Sequence, residues 1–538
     1  MIIYQIYPSS FCDGNGDGLG DLPGIIEKLP HIASLGEIDF VWISPFFPSP
    51  MRDFGYDISD YYDVDPRFGT LEDLRSLLKL ASSLGLAIMI DLVLAHSSSA
   101  HPWFEASRQS KTNPHSDWYV WVDPKPDGCP PNNWLSHFGG PAWTWEPRRG
   151  QYYLHHFLPE QPALNWYNPA VETAMLEVVK FWLEAGVRGF RLDALDFAHA
   201  DPLLRDNPPL APTGPVFEPS YPYLYQDPIY NCGAPGGLAA VRRLRQLVNN
   251  YGGTLLLGEI SDRRSARKYT GPDLLHSTYF FDFLLPAPFT PPSIAQRIQT
   301  ILAEFKSTEF AWTLSNHDFH RHASRLMPLN DQQRPDFAKL CAALFLGLPG
   351  SYCLYQGEEL GLPSAELQRA DLRDPFDIAL WPHDRGRDRA RTPIPWDRDQ
   401  GNGGFTIDSG KASYLPLDPN HLPLSVATQN QDSHSVLAFY RQMLAWRKCT
   451  QPSTYQLCID EVTETLLAYS LRSQAKPSEP IWMCKFNLSP DQPLVCQVGP
   501  NPEHFQIDHI SRSYNQVDSD YLELLPLGFV FLQRQCDR

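Results

Sequence analysis

The sequence has few cysteines and no long apolar run. Its ten cysteines include no Cys-x-x-Cys pair, so neither a zinc ribbon nor a disulfide framework is indicated. Because no stretch of about 18 apolar residues occurs, we expect no membrane-spanning helix and no membrane partner. The first residues, MIIYQIYPSSF, lack the basic and apolar segments of a signal peptide and are typical of a strand. These absences favour a cytoplasmic protein.

Extended basic patches are missing as well. The formal net charge is −18, and the longest basic stretches are the short segments DRRSAR and DRGRDRAR. Because phosphate backbones attract clustered lysine and arginine, we expect no nucleic-acid partner. The hydrophobic share of 43% and the charged share of 20% are typical of a globular protein with a sizeable core. We expect a monomer or a small homo-oligomer.

Short apolar runs alternate with amphipathic stretches over the first two thirds of the sequence. Eight runs can be counted: IIYQIYP, FVWISPFF, AIMIDLVLAH, GFRLDAL, TLLLGEI, TYFFDFLL, FAWTLSNHD and SYCLYQGEE. The stretches 71–85 and 171–186 have helical spacing, and Gly186 fits a C-terminal cap. Eight strand–helix units predict an α/β fold, a (β/α)8 TIM barrel with parallel strands, although the spacing also fits a doubly wound sheet.

We expect this barrel to be interrupted once and followed by a second domain. The interval between the third and fourth runs is rich in Trp, Tyr, Pro and Asn and is too long for a structureless loop. We therefore predict the first part of the barrel at 1–96, an inserted subdomain after strand 3 at 97–165, and the second part of the barrel at 166–454. Short alternating runs with turn residues predict a C-terminal antiparallel β-sandwich domain at 455–538.

Charged or hydrogen-bonding residues follow the apolar runs at their C-terminal ends. They are Asp91, His96, Arg191, Asp193, Glu259, His317, Asp318, Gln356, Glu358 and Glu359. In a (β/α)8 barrel these strand ends meet on the face that holds active sites, so we expect these residues to line one cleft. Unrelated polar residues in separate loops would also explain this pattern, but three carboxylates on three strand ends favour a shared site.

Three carboxylates beside an arginine and two histidines suit the cleavage of an acetal. That reaction needs a proton for the leaving oxygen and a negative charge facing an oxocarbenium-like transition state. Arg191 precedes Asp193 by two residues on the same strand face, which favours an ionised Asp193 as the nucleophile. Glu259 follows the apolar run LLLG, which favours a protonated Glu259 as the acid.

Six short motifs carry a resemblance to a known family. GFRLDAL, GEI and SNHD, in this order after DLVLAH, resemble conserved regions of the α-amylase family of glycoside hydrolases. QPALN, DFGYDISDY and RTPIPWD are similar to its α-glucosidase and oligo-1,6-glucosidase branch. The resemblance implies that Asp193 is the nucleophile and Glu259 the acid/base. It also implies that Asp318 grips sugar hydroxyls in the transition state and that Arg191 holds the nucleophile.

The resemblance further implies a glucose-binding pocket. His96 and His317 would bind glucose hydroxyls. Tyr56 and Phe157 would stack on the glucose or form the pocket wall, with a plain core role as the alternative.

Two further implications concern the exo mode of attack and the linkage. Asp53 and Arg391 would pair across the end of the pocket and bind the 4-hydroxyl of a terminal glucose, since an arginine–carboxylate pair is planar and bidentate. Ala194, which follows the nucleophile, would face the neighbouring subsite. A small side chain there is associated with α-1,4 rather than α-1,6 activity.

The glycine-rich stretch DGNGDGLGD, residues 13–21, suggests a cation site. Side-chain oxygens of Asp13, Asn15, Asp17 and Asp21, with the carbonyl of Leu19, would surround one hard cation, Ca²⁺ or Mg²⁺. The resemblance supports this prediction, because relatives bind calcium or magnesium in the corresponding loop. A solvated turn is the alternative.

The sequence therefore predicts a retaining, exo-acting α-glucosidase that acts on a small α-glucoside or oligosaccharide and needs no organic cofactor. An α-glucosyltransferase, a sucrose-active enzyme or a sugar isomerase would use the same residues with an acceptor sugar in place of water. The choice would depend on the Pro/Tyr-rich segment 200–235. A non-catalytic, carbohydrate-binding family member would lack the catalytic carboxylates or carry an anchor, and the sequence shows neither change.

Overall fold

Eight parallel strands form the centre of the protein. The computed structural model describes residues 1–210, 221–234, 236–261, 263–279, 281–285, 287–383, 386–408, 410–499 and 502–535. The strands, β1 to β8, are Ile2–Ile6, Phe40–Ile43, Ala87–Val93, Gly189–Asp193, Leu255–Glu259, Ser277–Tyr279, Ala311–Thr313 and Ser351–Tyr355. Each of the eight apolar runs contributes one strand.

The sheet closes on itself. Its hydrogen-bonded order is β7-β8-β1-β2-β3-β4-β5-β6, and a parallel bridge between Thr278 and Phe310 joins β6 to the segment that enters β7. Every residue of β4 and β5 is buried, as expected of parallel strands that are covered on both faces. The predicted TIM barrel is therefore confirmed over the doubly wound alternative.

One main helix follows each strand. These helices, α1 to α8, are Leu22–Ser34, Leu71–Ser83, Pro169–Ala185, Gly237–Asn249, Arg263–Tyr269, Pro291–Glu304, Arg334–Leu346 and Val436–Thr450. Helix α3 shows why the chain is helical here: Asn168 caps its first turn, Pro169 begins it, and Gly186 ends it with a φ of 113°. The predicted C-terminal cap at Gly186 is confirmed.

Shorter helices lie in the loops. The α-helical ones are Pro8–Phe11, Pro102–Ser107, His322–Arg325, Pro375–Leu380, Arg387–Ala390 and Val426–Asn430. The 3-10 helices are Leu195–Phe197, Pro222–Tyr225, Phe281–Phe283, Arg369–Asp371, Gly401–Gly404, Pro419–Leu424, Pro452–Thr454 and Pro502–His504. None of the helices in the described ranges is both long enough and apolar enough to cross a bilayer.

A small antiparallel sheet lies between β3 and α3. Its strands are Trp121–Val122, Trp143–Glu146 and Gln151–Leu154, with the last in the middle. Trp134 and Trp143 stack in its core with ring centroids 5.8 Å apart. The predicted insertion after strand 3 therefore contains a folded sheet, whose last strand ends three residues before Phe157.

The C-terminal part is a second antiparallel β domain, which confirms this much of the predicted β-sandwich. Its seven strands are Gln456–Val462, Leu466–Ser473, Lys476–Asn487, Leu494–Gln497, Phe505–Ile507, Arg512–Gln516 and Tyr521–Arg534. The last strand is 14 residues long and pairs with four of the others, which links all seven into one sheet. Phe486, Phe529 and Phe531 on this sheet belong to the same apolar core as the barrel helices.

Arg447 joins α8 to the end of α7. Its side chain is 7% exposed and donates hydrogen bonds to the carbonyl oxygens of Leu346, Leu348 and Gly350. These carbonyls lie where α7 ends and the chain turns into β8, so they have no partners from the helix itself. One guanidinium therefore satisfies a buried turn at the N-terminal side of the barrel.

We expect Arg447→Gln to lower the free energy of unfolding by about 2–4 kcal/mol, because buried carbonyl groups would lose their donors. Lys448→Gln is the matched control: Lys448 is the next residue, is exposed and pairs with Glu37 on the surface. Its loss of stability should be much smaller than that of Arg447→Gln, because an exposed ion pair contributes little. Urea unfolding followed by tryptophan fluorescence measures both, and equal losses would contradict the role of Arg447.

Candidate active site

Neighbouring strands bring the predicted catalytic residues to one end of the barrel. Asp91 of β3 lies directly opposite Arg191 of β4 in the parallel register, and Asp193 and Glu259 are the last residues of β4 and β5. Glu259 is in turn opposite Tyr279 of β6. The register alone therefore places an arginine among three carboxylates and a phenol.

The guanidinium of Arg191 is the centre of this group. Its Nη1 atom lies 2.5 Å from Asp91 Oδ1 and 2.6 Å from Asp193 Oδ1, and its Nη2 atom lies 2.6 Å from Glu259 Oε2. Nε also donates to the hydroxyl of Tyr279 at 3.1 Å. The Arg191 side chain is completely buried. Arg191 therefore holds Asp193, as the resemblance implied, but it holds two other carboxylates as well.

The surroundings of Glu259 differ from the apolar setting that the sequence predicted. Tyr279 donates its hydroxyl hydrogen to Oε1 at 3.1 Å, and the backbone N–H of Ala194 donates to Oε2 at 3.1 Å. Ala194 presents this N–H from a left-handed conformation with a φ of 41°. The apolar residues before Glu259 face the barrel interior and its helices, whereas the strand end combines burial with polar neighbours.

Burial raises the pKa of Asp193 to about 7, although Arg191 opposes the shift. The pKa of Glu259 is also raised to about 7, by burial first and then by the negative charges of Asp193 and Asp318, again against Arg191. Two interacting carboxyl groups with these pKa values titrate as a pair. At neutral pH the pair can hold one proton, which is the state that acid and nucleophile catalysis requires.

Asp318 has the opposite electrostatic environment. Its Oδ1 atom lies 2.9 Å from Arg391 Nη2 and 3.1 Å from Arg387 Nε. Burial opposes ionisation, but the Nε2 atom of His317, 3.3 Å from Oδ2, and the two guanidinium groups together hold the pKa of Asp318 well below its usual range; His317 acts here as a neutral N–H donor. Its side chain is 26% exposed, against 11% for Asp193 and 9% for Glu259. Asp318 is therefore a permanent anion that faces the open side of the site.

His317 and Tyr56 form one hydrogen-bonded wall. His317 Nε2 lies 2.6 Å from the Tyr56 hydroxyl, and the two rings stack at 5.4 Å with an interplanar angle of 7°. The side-chain amide of Gln5 donates to His317 Nδ1 at 2.7 Å, so Nε2 carries the hydrogen. Burial keeps the pKa of His317 well below its usual range. The ring is therefore a neutral donor, fixed by Gln5, a residue that sequence reasoning missed.

His96, Gln161 and Phe157 lie on the side of the inserted subdomain. The amide nitrogen of Gln161 lies 3.0 Å from His96 Nε2 and 3.0 Å from Asp53 Oδ2. The rings of His96 and Phe157 meet edge to face at 5.3 Å. Phe157 in turn belongs to an apolar cluster with Ala194. The structure thus brings the predicted pocket residues of β3, β4 and the subdomain together.

The predicted pairing of Asp53 with Arg391 is wrong. Asp53 Oδ1 lies 3.0 Å from Arg387 Nη2, and Arg387 is the arginine that sequence reasoning missed. Arg391 is 1% exposed and donates to the carbonyl of His317 at 2.7 Å and to Asp318 and Asp374. The signal was present in the sequence, because Arg387 and Arg391 are four residues apart, a spacing that puts both on one face of a helical turn.

The loop 13–21 winds through repeated side-chain turns. Oδ1 atoms of Asp13, Asn15 and Asp17 each accept the backbone N–H two residues further on, at 3.2, 2.9 and 2.8 Å. Asp21 accepts three backbone N–H groups and caps α1. Within the described ranges, no three His, Cys, Asp or Glu side chains form a ready-made metal cluster. The predicted ligands, Leu19 included, share this one loop.

Known proteins resemble the chain over almost its whole length. A family model described as "Alpha amylase, catalytic domain" matches residues 5–455. A "Probable alpha-glucosidase" of Rhizobium meliloti (strain 1021) is 48% identical over 91% of this chain and 88% of its own length. An "Oligo-1,6-glucosidase" of Heyndrickxia coagulans is 36% identical over 83% of this chain and 84% of its own.

A solved structure gives the same result. The crystal structure of an alpha-glucosyl transfer enzyme, XgtA, superposes with a TM-score of 0.92 at 44% identity and covers 99% of this chain and 98% of its own. The family match spans the barrel, the insertion and all the strand ends described above. The chain belongs to the α-amylase family.

Proposed function

We propose that the protein is a retaining, exo-acting α-glucosidase that removes terminal glucose from short α-linked oligosaccharides or α-glucosides. One observation carries the proposal, the arrangement of two ionic groups in the site. On one side, Asp193 and Glu259 share Arg191. On the other side, Asp53 and Asp318 both contact Arg387. An ion pair that closes a pocket suits the end of a sugar chain. The relatives named as glucosidases support this assignment.

In the first step an oxygen of ionised Asp193 attacks the anomeric carbon of the terminal glucose. The glycosidic C–O bond breaks, and Glu259 gives its proton to the leaving oxygen. Tyr279 and the N–H of Ala194 hold the Glu259 carboxyl and stabilise it when it becomes charged. Asp318 remains ionised because of Arg387 and Arg391, so it can accept hydrogen bonds from sugar hydroxyls throughout.

In the second step a water molecule attacks the anomeric carbon of the glucosyl ester. Glu259 takes the proton of the water, and the ester bond to Asp193 breaks. Two inversions leave the glucose in the α configuration. The neutral ring of His317 and the fixed hydroxyl of Tyr56 would orient the sugar ring, and the Asp53–Arg387 pair would bind its 4-hydroxyl.

Glucosyl transfer is the second candidate, because XgtA is described as an alpha-glucosyl transfer enzyme and is 44% identical to this chain. In that case an acceptor hydroxyl replaces water in the second step. The acceptor would meet the segment 200–235, of which residues 211–220 and 235 lie outside the described residues. Product analysis separates the two functions.

We also propose that the enzyme prefers α-1,4 over α-1,6 linkages, since Ala194 leaves space beside the leaving group. Among the described cysteines, Cys129 and Cys449 are exposed free thiols, which supports a cytoplasmic location. Nothing in these proposals requires more than a monomer or a small homo-oligomer.

The decisive experiment is a turnover panel with maltose, isomaltose and a maltooligosaccharide labelled at its reducing end. We expect glucose as the first product, released from the unlabelled end in the α configuration by proton NMR, with maltose cleaved faster than isomaltose. Release of β-glucose would overturn the retaining assignment. Labelled transfer products in excess over glucose would favour the second candidate.

Asp193→Asn is the catalytic control for this panel. It keeps the size of the side chain but removes the nucleophilic charge, so it should lose more than about 100-fold in kcat while still binding glucose.

We expect log(kcat/KM) for maltose to follow a bell-shaped dependence on pH with its maximum near 7, the approximate pKa of both Asp193 and Glu259. Below the maximum Asp193 gains a proton and loses its nucleophilic charge. Above the maximum Glu259 loses the proton that it must donate. Steady-state rates across the pH range measure both limbs.

Glu259→Gln tests the assignment of the alkaline limb. With maltose it should lose about 10²–10⁴-fold in kcat/KM, because the leaving sugar needs a proton. With α-glucosyl fluoride, whose leaving group needs less help from an acid, glucosyl transfer to added azide should continue and its alkaline limb should disappear. An alkaline limb that survives in this variant would assign the acid to another residue.

We propose further that the loop 13–21 holds one structural Ca²⁺ or Mg²⁺. Its donors are carboxylate, amide and carbonyl oxygens, which are the ligands of hard cations. Asp13 and Asp21 are completely buried, and no lysine or arginine among the described residues forms an ion pair with either. Asn15 and Asp17 are exposed and could turn toward a cation together with the carbonyl of Leu19.

We expect a chelator to lower the melting temperature of the purified protein and added Ca²⁺ or Mg²⁺ to restore it, without a change in the pH profile. Asp17→Asn should remove this response because it weakens the cage. Asp60→Asn is the matched control, since Asp60 is an exposed residue that makes the same kind of side-chain turn in another loop. An unchanged melting temperature, with no metal by elemental analysis, would disprove the site.

A further inference from the structure

We propose that Asp374 is a positioning residue that aligns Arg387 and Arg391 and thereby sets the selectivity for the 4-hydroxyl of the terminal glucose. The inference rests on the proposed function. Asp374 comes from the loop after β8, and its sequence, RDPF, carried no signal of its role. It has no exposed surface, so it acts through the arginines rather than by touching the sugar.

The geometry links both arginines to one carboxylate. Asp374 Oδ2 lies 3.0 Å from Arg387 Nη1 and 3.2 Å from Arg391 Nη1. The remaining nitrogens of the two guanidinium groups then point toward the site: Arg387 toward Asp53 and Asp318, and Arg391 toward Asp318. One buried oxygen therefore fixes the rotation of two planar groups whose other edges meet the predicted glucose pocket.

The carboxylate of Asp374 is itself held rigidly. Its Oδ1 atom accepts the N–H groups of Phe376 at 3.0 Å and Asp377 at 3.1 Å, which makes Asp374 the N-cap of the helix Pro375–Leu380. Its own N–H donates to Asp388 Oδ2 at 2.8 Å, and Asp388 lies next to Arg387. The short helix that carries Arg387 and the segment that carries Asp374 therefore fix each other.

The charge balance explains why a carboxylate is needed at this point. Arg387 and Arg391 are both buried. Burial and the positive charge of Arg391 lower the pKa of Arg387, whereas the carboxylates of Asp374, Asp53 and Asp318 raise it. Asp318 separates them on the side of the pocket, and Asp374 does so on the opposite side. Without the charge of Asp374 the two guanidinium groups would repel across a gap, and Arg387 would move relative to Asp53. Displacements of about 1 Å are enough to cost 10²-fold in rate.

The test compares two substrates, p-nitrophenyl α-glucoside and its 4-deoxy analogue, in the wild type and in Asp374→Asn. Asparagine keeps the size of the side chain and can still cap the helix through its oxygen, but the oxygen that accepts from both arginines becomes an NH2 donor, so the charge and that oxygen's contacts with both arginines are lost. We expect kcat/KM for the glucoside to fall about 10–100-fold and that for the 4-deoxy analogue to change less than about 3-fold. The preference for the 4-hydroxyl would then collapse while hydrolysis itself persists.

Asp418→Asn is the matched control. Asp418 is also a buried N-cap, and its oxygens accept the N–H groups of Asn420 and Glu366. This substitution should leave the preference between the two substrates unchanged, which separates an effect on the arginines from a general effect of removing a buried capping charge.

Equal losses on both substrates in Asp374→Asn would overturn the proposal, because they would indicate a structural role only. No loss on either substrate would overturn it as well. Asp374→Ser also keeps a cap and repeats the comparison if the asparagine variant does not fold. Failure of both variants to fold would count against the proposal, since the carboxylate would then be needed for folding. A wild type inactive on p-nitrophenyl α-glucoside would instead refute the proposed function.

Discussion

The burial of a single guanidinium group, that of Arg191, determines most of the chemistry of this site. A completely buried charge is costly unless anions surround it, and three carboxylates from neighbouring strands do so. Three anions exceed what one cation can offset, so burial raises the pKa of Asp91 to about 6 and that of Asp193 and Glu259 to about 7. The excess of carboxylates over guanidinium groups is therefore the physical reason why a proton can stay in the site at neutral pH.

The barrel supplies this arrangement through strand register. Because β3, β4 and β5 are parallel neighbours, residues at equal heights lie side by side, and Asp91 meets Arg191 without any help from a loop. The left-handed conformation of Ala194 then turns the chain at the end of β4 so that its N–H points to Glu259. Recognition residues are placed differently. Asp53, Asp318 and Arg387 lie in loops, and ion pairs between those loops hold them in position.

Sequence reasoning predicted the eight strands, the insertion, the C-terminal β domain and the carboxylates at the strand ends, because each depends on local periodicity or on a short motif. It failed where the answer depends on contacts between distant segments. The polar surroundings of Glu259 involve Tyr279 and Arg191 from neighbouring strands, and no local pattern reports them. The partner of Asp53 was misassigned because Arg387 and Arg391 share a helical face, and only the fold shows which of them reaches the loop after β2.

The carboxyl groups of Asp193, Glu259, Asp53 and Asp318 differ in the neighbours that offset their burial. Asp193 and Glu259 both contact Arg191, and Asp53 contacts Arg387 alone. In all three carboxyl groups burial outweighs the nearby cation, so the pKa is raised, to about 6 in Asp53. Asp318 contacts both Arg387 and Arg391, and its pKa is lowered. His317 Nε2, which lies 3.3 Å from Asp318 Oδ2, and the two guanidinium groups thus overcome together a desolvation cost that a single guanidinium does not overcome at Asp193, Glu259 or Asp53. Asp193 and Glu259, whose charges change in the proposed mechanism, therefore share one arginine, whereas Asp318, which must stay charged, contacts two.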